Sequence, residues 1–183
     1  MIPTPEQTRG PFFLPWFVDS GASDLTQLEG RRTRGEPIAS HGVVTEEGGA
    51  PLANLSVEIW QAEAPGIFRH PLDPRHRKAD PDFLGCERAA TDREARYLFR
   101  TIRPGAPAGR APHIDVTLMY PGLGRILETA LCFEDGPGND SDPVLRRVAR
   151  ERRGPLVARR TAPARCRFGI RPRGEAETPF VDD

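Results

Sequence analysis

The residues of this chain best suited to chemistry fall in three short segments. Phe68-Arg69-His70-Pro71 opens a stretch that also carries Asp73, His76, Asp80 and Asp82. His113-Ile114-Asp115 sets an imidazole and a carboxylate at alternate positions of a strand, and Gln7-Thr8-Arg9-Gly10-Pro11-Phe12 combines a hydroxyl, a permissive glycine and a rigid proline. Imidazole and carboxylate are metal ligands. The His and Asp spacing between residues 68 and 82 fits neither a zinc nor a calcium pattern, so that stretch reads as a solvated polar loop. One His and one Asp make a poor cage for any transition metal. In the third segment Gly10 allows close backbone approach, Pro11 fixes a turn and Thr8 can bond a polar ligand, although Gly-Pro taken alone is the mark of a turn.

These segments need strands to position them. Ile38 to Thr45 reads as a first core strand closed by Glu46-Glu47-Gly48-Gly49. Leu55 to Trp60 alternates, with Leu55, Val57 and Ile59 on one face. Pro65 to Cys86 is loop-like, and Ala90 to Ala95 holds turn formers ahead of an alternating strand from Tyr97 to Ile102. His113 to Tyr120 alternates again, with Ile114, Val116 and Leu118 on one face and His113, Asp115 and Thr117 on the other. Ile126 to Phe133 is extended. Asp142 as N-cap and Pro143 at the first position predict one helix running through Arg153. Leu156 to Arg159 and Cys166 to Ile170 are terminal strands, whereas residues 1–36 have little periodicity and read as an irregular arm with an apolar cluster of Phe12, Phe13, Trp16 and Phe17. His41, alone on its strand, reads as exposed or hydrogen-bonded.

Composition narrows the class. The 183 residues suit one domain, and 20 Pro with 18 Gly favour short strands and turns over long helices. The 26 basic and 26 acidic residues cancel, so no field of one sign draws the chain to nucleic acid or a membrane surface. Lys78 is the only lysine. Cys86, Cys132 and Cys166 follow no metal or redox spacing, and Cys132 reads as a small buried apolar residue. An odd cysteine count, no apolar run of membrane-spanning length and no leader pattern at Met1 to Glu6 give a cytoplasmic expectation.

The order of Val57 to Ala62, Phe68 to Pro71, Thr91-Asp92 through Tyr97-Leu98-Phe99-Arg100-Thr101 to Arg103-Pro104-Gly105, and Ala111 to Asp115 resembles the intradiol ring-cleaving dioxygenases. In that family a β-sandwich holds non-haem Fe(III) with two Tyr and two His. The resemblance places a Tyr where this chain has Phe68, a second Tyr among Ala106, Pro107 and Ala108, and a His-x-His pair where it has His113-Ile114-Asp115. With one ligand position kept, no metal is expected in this chain. The opening Gln7 to Phe12 and the closing Gly174 to Phe180 resemble the α-type, non-iron subunits of the protocatechuate 3,4-dioxygenases, so the likeness runs over residues 7–182.

That resemblance implies an all-β fold: a β-sandwich of intradiol type over residues 37–183, with residues 1–36 as an irregular N-terminal arm of the same domain and one short helix. It implies a hetero-oligomer with a homologous β subunit that binds the Fe(III), and no catalytic residue within this chain alone. Thr8, Gly10, Pro11 and Phe12 are the implied substrate-binding residues, lining the pocket in front of the partner's iron. Two positions depart from the pattern: Phe12 replaces a Tyr, and Pro121 stands where related subunits have an Arg, for which Arg125, four positions on, reads equally as a substitute or as an ordinary exposed arginine. The implied activity is cleavage of protocatechuate between its hydroxyls with O2, giving 3-carboxy-cis,cis-muconate in the β-ketoadipate pathway. The alternative is a catalytically silent binding or structural module built on the same sandwich.

Overall fold

The computed structural model describes residues 23–120 and 126–181. Alternating apolar residues produce a nine-stranded sheet wrapped into two layers around one core. The strands are β1 (Ser23–Asp24), β4 (Pro37–Val43), β5 (Ser56–Gln61), β6 (Cys86–Ala90), β7 (Arg96–Ile102), β8 (His113–Met119), β9 (Leu127–Phe133), β10 (Val157–Ala162) and β11 (Arg165–Arg167). A hairpin of β2 (Gln27–Leu28) and β3 (Arg31–Arg32) stands apart. The order is β1-β7-β4-β11-β10-β9-β8-β5-β6. β10 is the corner: its start pairs in parallel with β9, while from Arg159 onward it pairs antiparallel with β11, with a register shift between Arg160 and Ala162. Bulged strands that change layers are how a twisted sheet folds onto itself. At the far end the Ser23 hydroxyl donates to the Arg88 carbonyl at 2.9 Å, joining β1 to β6 and nearly closing the sheet.

The inward positions are the ones that alternation selects. Val57 and Ile59, Phe99, Ile114, Val116 and Leu118 are buried between the layers, each removing an apolar side chain from water at a gain of about 1.5–3 kcal/mol. Tyr97 shares this interior, and its hydroxyl donates to the Phe168 carbonyl at 2.5 Å. Burial pushes that phenol upward from its usual value. Gln61, fully buried at the end of β5, donates from Nε2 to the Ile102 carbonyl at 2.9 Å and accepts from the Thr101 hydroxyl at 2.9 Å. It thereby ties the end of β5 to the end of β7, across the two layers.

Three expectations are revised. The helix ends early: α1 spans Pro143–Arg147, Val148 is extended, and short 3-10 turns follow at Arg150–Arg152 and Gly154–Leu156. Leu156 must double back to pack with Leu145 and Cys132, and Pro155 cannot continue a helical ladder. Strand β6 begins on the last residue of the expected loop and ends on the first of the expected turn, filling residues 87–89, for which no element is predicted. Cys86-Glu87-Arg88-Ala89-Ala90 carries little strand propensity and is held instead by pairing with β5 and by the Arg88–Glu58 ion pair. Residues 23–33 of the expected irregular arm are ordered: β1 adds to β7, and the β2–β3 hairpin is clamped by Arg31 Nε on Asp82 at 2.6 Å and by the Arg34 N–H on Asp80 at 2.8 Å. No helix among the described residues is long and apolar enough to cross a membrane.

Asp142 does more than cap. Its Oδ1 accepts from the N–H groups of Val144 and Leu145, and its Oδ2 accepts from Arg110 Nε at 2.8 Å and from the Ala111 N–H at 2.9 Å. One buried carboxylate therefore fixes both the start of α1 and the loop entering β8. Burial raises its pKa, but the Arg110 guanidinium and the backbone donors outweigh that and hold the carboxyl below its ordinary value.

Two consequences are measurable by urea unfolding. Gln61→Leu leaves the Ile102 carbonyl and Thr101 hydroxyl without this partner and costs about 2–3 kcal/mol; a loss under about 0.5 kcal/mol, the range of neutral surface changes, would refute the bridging role. Asp142→Asn costs about 3 kcal/mol near neutral pH by stripping the charge from a buried pair with Arg110. Because the folded carboxyl titrates below the unfolded one, this stabilisation is complete above the unfolded value and disappears as pH falls through the folded value. The gap between wild type and D142N therefore narrows below about pH 4.

Candidate functional site

The two loops that leave the Gln61 bridge build the site. The chain leaving β5 passes through Glu63 to Ile67, and the chain leaving β7 passes through Arg103 to Pro107; the two lie backbone on backbone. The Gly66 and Gly105 N–H groups both donate to the Glu63 carbonyl, at 2.8 and 3.0 Å. Gly66 has φ +75°, and a Cβ there would lie 2.1 Å from the Ala106 carbonyl oxygen; a Cβ on Gly105 would lie 2.0 Å from that of Ala64. Only glycine permits this approach. Glu63 itself is buried, and its Oε2 accepts from the Asp80 N–H at 2.7 Å while burial pushes its carboxyl upward.

The loop beyond is knitted by Asp73. Its carboxylate accepts from the Phe68 N–H at 3.1 Å, from the Arg75 N–H at 2.8 Å and from the Arg75 guanidinium, which reaches on to the Gly66 carbonyl at 2.7 Å. The Arg75 guanidinium is the main reason that the Asp73 carboxyl lies well below the usual carboxylate range. The expected solvated loop is thus an ordered shelf, and it delivers Phe68 and His70 to the outer face of β5. There Trp60 stacks on Phe68 with ring centroids 6.3 Å apart and meets the edge of His70 at 5.7 Å. These three rings, with Leu72, Pro107 and Ala108, line an open cavity of about 380 Å³.

Trp60 stands directly across from Asp115 in the β5–β8 pairing, and His113 lies two residues away on the same strand face. His113 is buried, and its Nδ1 is 2.7 Å from the Ala111 carbonyl, so Nδ1 carries a proton. Its Nε2 lies 3.5 Å from an Asp115 carboxylate oxygen. The fold therefore gathers the four positions singled out from the sequence. Phe68 and Pro107–Ala108 line the cavity, and His113 and Asp115 occupy the adjoining strand face.

Gathered, these residues do not suit ferric iron. Phe68, Pro107 and Ala108 have no side-chain lone pair, which leaves one imidazole nitrogen and one half-exposed carboxylate. Among the described residues no group of three or more His, Cys, Asp and Glu is placed to hold a metal. Thr8, Gly10, Pro11 and Phe12, together with Pro121 and Arg125, lie outside the described residues. Cys132 is fully buried opposite His113, and burial pushes its thiol up to about 12, so it is an inert packing residue. The His41 ring has a 3.5 Å contact to the Thr161 hydroxyl as its one side-chain hydrogen bond among the described residues. Trp60, Gln61 and Asp142 are structurally central yet were not picked out as site residues. Trp60 did carry a signal: a large aromatic on the polar-facing side of an alternating strand.

Comparison with known proteins agrees with this geometry. A family model described as Dioxygenase (Dioxygenase_C) matches residues 9–111. The protocatechuate 3,4-dioxygenase alpha chain of Burkholderia cepacia is 33% identical over 98% of this chain and 96% of its own length. The beta chain from the same organism is 37% identical over 87% of this chain and 73% of its own length. Among solved structures, the dioxygenase domain of a dioxygenase carbohydrate-binding protein fusion from Streptomyces sp. SirexAA-E superposes with a TM-score of 0.63 at 27% identity, over 93% of this chain and 97% of that one. The 3-chlorocatechol 1,2-dioxygenase of Rhodococcus opacus 1CP shares the fold, with a TM-score of 0.64 at 24% identity over 89% of this chain and 69% of that one. With its all-β fold and this span of sequence likeness, the chain belongs to the intradiol dioxygenase family.

Proposed function

We propose that this chain is the non-iron alpha subunit of a protocatechuate 3,4-dioxygenase, completing an active site whose Fe(III) is held by a homologous beta subunit. The observation that carries this reading is the donor-poor site. The positions the fold gathers around Trp60 offer carbon at Phe68, Pro107 and Ala108, while the match to alpha chains runs almost end to end. The beta-chain relative supplies the kind of partner the reading needs. In the complex, the partner's iron supplies the activation of the catechol and O2. This chain binds and orients: Thr8 offers a hydroxyl to the substrate, Gly10 and Pro11 give a close, rigid wall, and Phe12 gives an apolar face where a phenol would add a hydrogen bond. The product is 3-carboxy-cis,cis-muconate, and the setting is cytoplasmic catabolism of aromatic compounds by the β-ketoadipate pathway.

Co-expression with the beta-type chain of the same genome tests the reading. The two chains are expected to co-purify with iron assigned to the partner, to consume O2 on protocatechuate, and to lose that activity when separated. Thr8→Val raises KM for protocatechuate roughly fivefold, the equivalent of about 1 kcal/mol for one hydrogen bond, with the iron content of the complex unchanged. Stoichiometric iron on this chain alone would refute the reading. A partner that turns over protocatechuate equally well without this chain would instead favour a silent binding module on the same sandwich.

A further inference from the structure

The outer face of the layer formed by β7, β4, β11 and β10 carries a concentration of positive charge that the balanced composition hides. Strand register sets it out in two rows. Arg100, Ala39 and Arg165 lie side by side across three strands, and the next row holds Leu98, His41, Arg167 and Arg159. Neighbours within a row are about 5 Å apart and the rows about 7 Å apart. The inward positions between them, Ser40, Phe99 and Cys166, are buried, which directs the arginines outward; all four are exposed.

Several arginines elsewhere in the chain have acids, while others, such as those of the Arg146 to Arg153 segment, have no ion-pair partner among the described residues but are not set in register. Arg88 pairs with Glu58, Arg96 with Asp92 and Glu94, and Arg103 and Arg160 share Asp135. Arg100, Arg159, Arg165 and Arg167 have no ion-pair partner among the described residues. Asp24 is in register with Arg100 on the edge strand but is not within ion-pair distance of it, its Oδ1 accepting from the Thr26 N–H and hydroxyl. Arg159 and Arg167 face each other directly across the β10–β11 pair. Like charges opposed in this way weaken a sheet unless something else compensates. His41, in register with Arg167, feels the field: partial burial and then the charges of Arg165 and Arg167 lower its pKa.

We infer that this face seats an acidic surface of the beta-type partner chain. The inference rests on the partner assigned under Proposed function and adds where that partner is held. A protein surface fits better than a nucleic acid. The half-buried Ala39 and Leu98 between the arginines offer apolar contact, whereas among the described residues no Phe, Tyr or Trp stands in these rows to stack a base, His41 being the one ring there. Arginine forks match carboxylates bidentately, and the lattice of strand positions sets their spacing.

The test uses the full chain with the beta-type chain and compares wild type, R159E/R167E and R159K/R167K. Charge reversal is expected to weaken association at least tenfold, and the lysine pair, which keeps the charge but loses the fork, to fall between wild type and the reversed variant. Wild-type association should weaken as salt rises from 50 to 300 mM, with the reversed variant far less sensitive. Thermal melting of the isolated variants should be no lower than wild type, since reversal removes no buried contact. Association unchanged by reversal overturns this face alone. Failure of wild type to bind the beta-type chain overturns both the face and the function it rests on. Salt-sensitive self-association of the chain that charge reversal abolishes, with beta-chain binding intact, assigns the face to a second copy and overturns the inference.

Discussion

The site depends on the junction between the ends of β5 and β7. Gln61 holds those ends together from inside the core, with its amide donating to the Ile102 carbonyl and accepting from Thr101. A buried amide with both ends satisfied is directional in a way that apolar packing is not, so it sets the separation of the strand ends as well as their attraction. The loops that leave this junction are then close enough for Gly66 and Gly105 to share one carbonyl acceptor. Everything placed on those loops inherits its position from this contact, including Phe68 and the Pro107–Ala108 turn. Asp142 performs the matching task on the far side, fastening the Arg110–Ala111 approach to His113.

With the frame held so firmly, the side chains on it decide the chemistry. The scaffold brings four positions of an intradiol centre together and presents an aromatic stack, one imidazole whose Nδ1 is committed to a backbone carbonyl, and one carboxylate. A non-haem ferric ion is best stabilised by hard anionic oxygen donors, and phenylalanine, proline and alanine supply no side-chain donor at all. Fold and catalytic competence are separable because packing selects the inward residues and metal ligation selects the outward ones. The outward face of β5 and β8 carries this aromatic, imidazole and carboxylate set, while Val57, Ile59, Ile114, Val116 and Leu118 pack the core beneath it.

Strands with strict alternation were legible before the structure. β4, β5, β7 and β8 fall within a residue or two of expectation, because a half-buried strand must alternate to cover a core, and β9 does so as well although it is buried along most of its length. β6 was not legible, since its glutamate, arginine and alanines carry no strand signature and its pairing with β5 is supplied by the neighbour. The helix start was legible in Asp142-Pro143, whereas its end was not: Val148 leaves the helix so that Leu156 can reach Leu145 and Cys132, a long-range demand absent from local sequence. The loop from Pro65 to Cys86 was rightly seen to lack strands, but the order that Asp73 imposes on it arises from contacts with Gly66 and Phe68 that spacing alone does not reveal.

The sequence by itself determined the identity of the core face and the absence of side-chain donors at Phe68, Pro107 and Ala108, because each is a property of residue type along the chain, and its motifs carried the family resemblance. Tertiary structure decided which of those positions meet, how near they come, and what else joins them. Trp60 entered the site because strand pairing sets it opposite Asp115 and the Asp73 shelf lifts Phe68 and His70 against it. Likewise, equal numbers of acids and bases in the chain resolve into paired arginines in one place and an unpaired arginine face in another only when strand register lines them up. Composition is summed along the chain, whereas fields and contacts depend on distance in space.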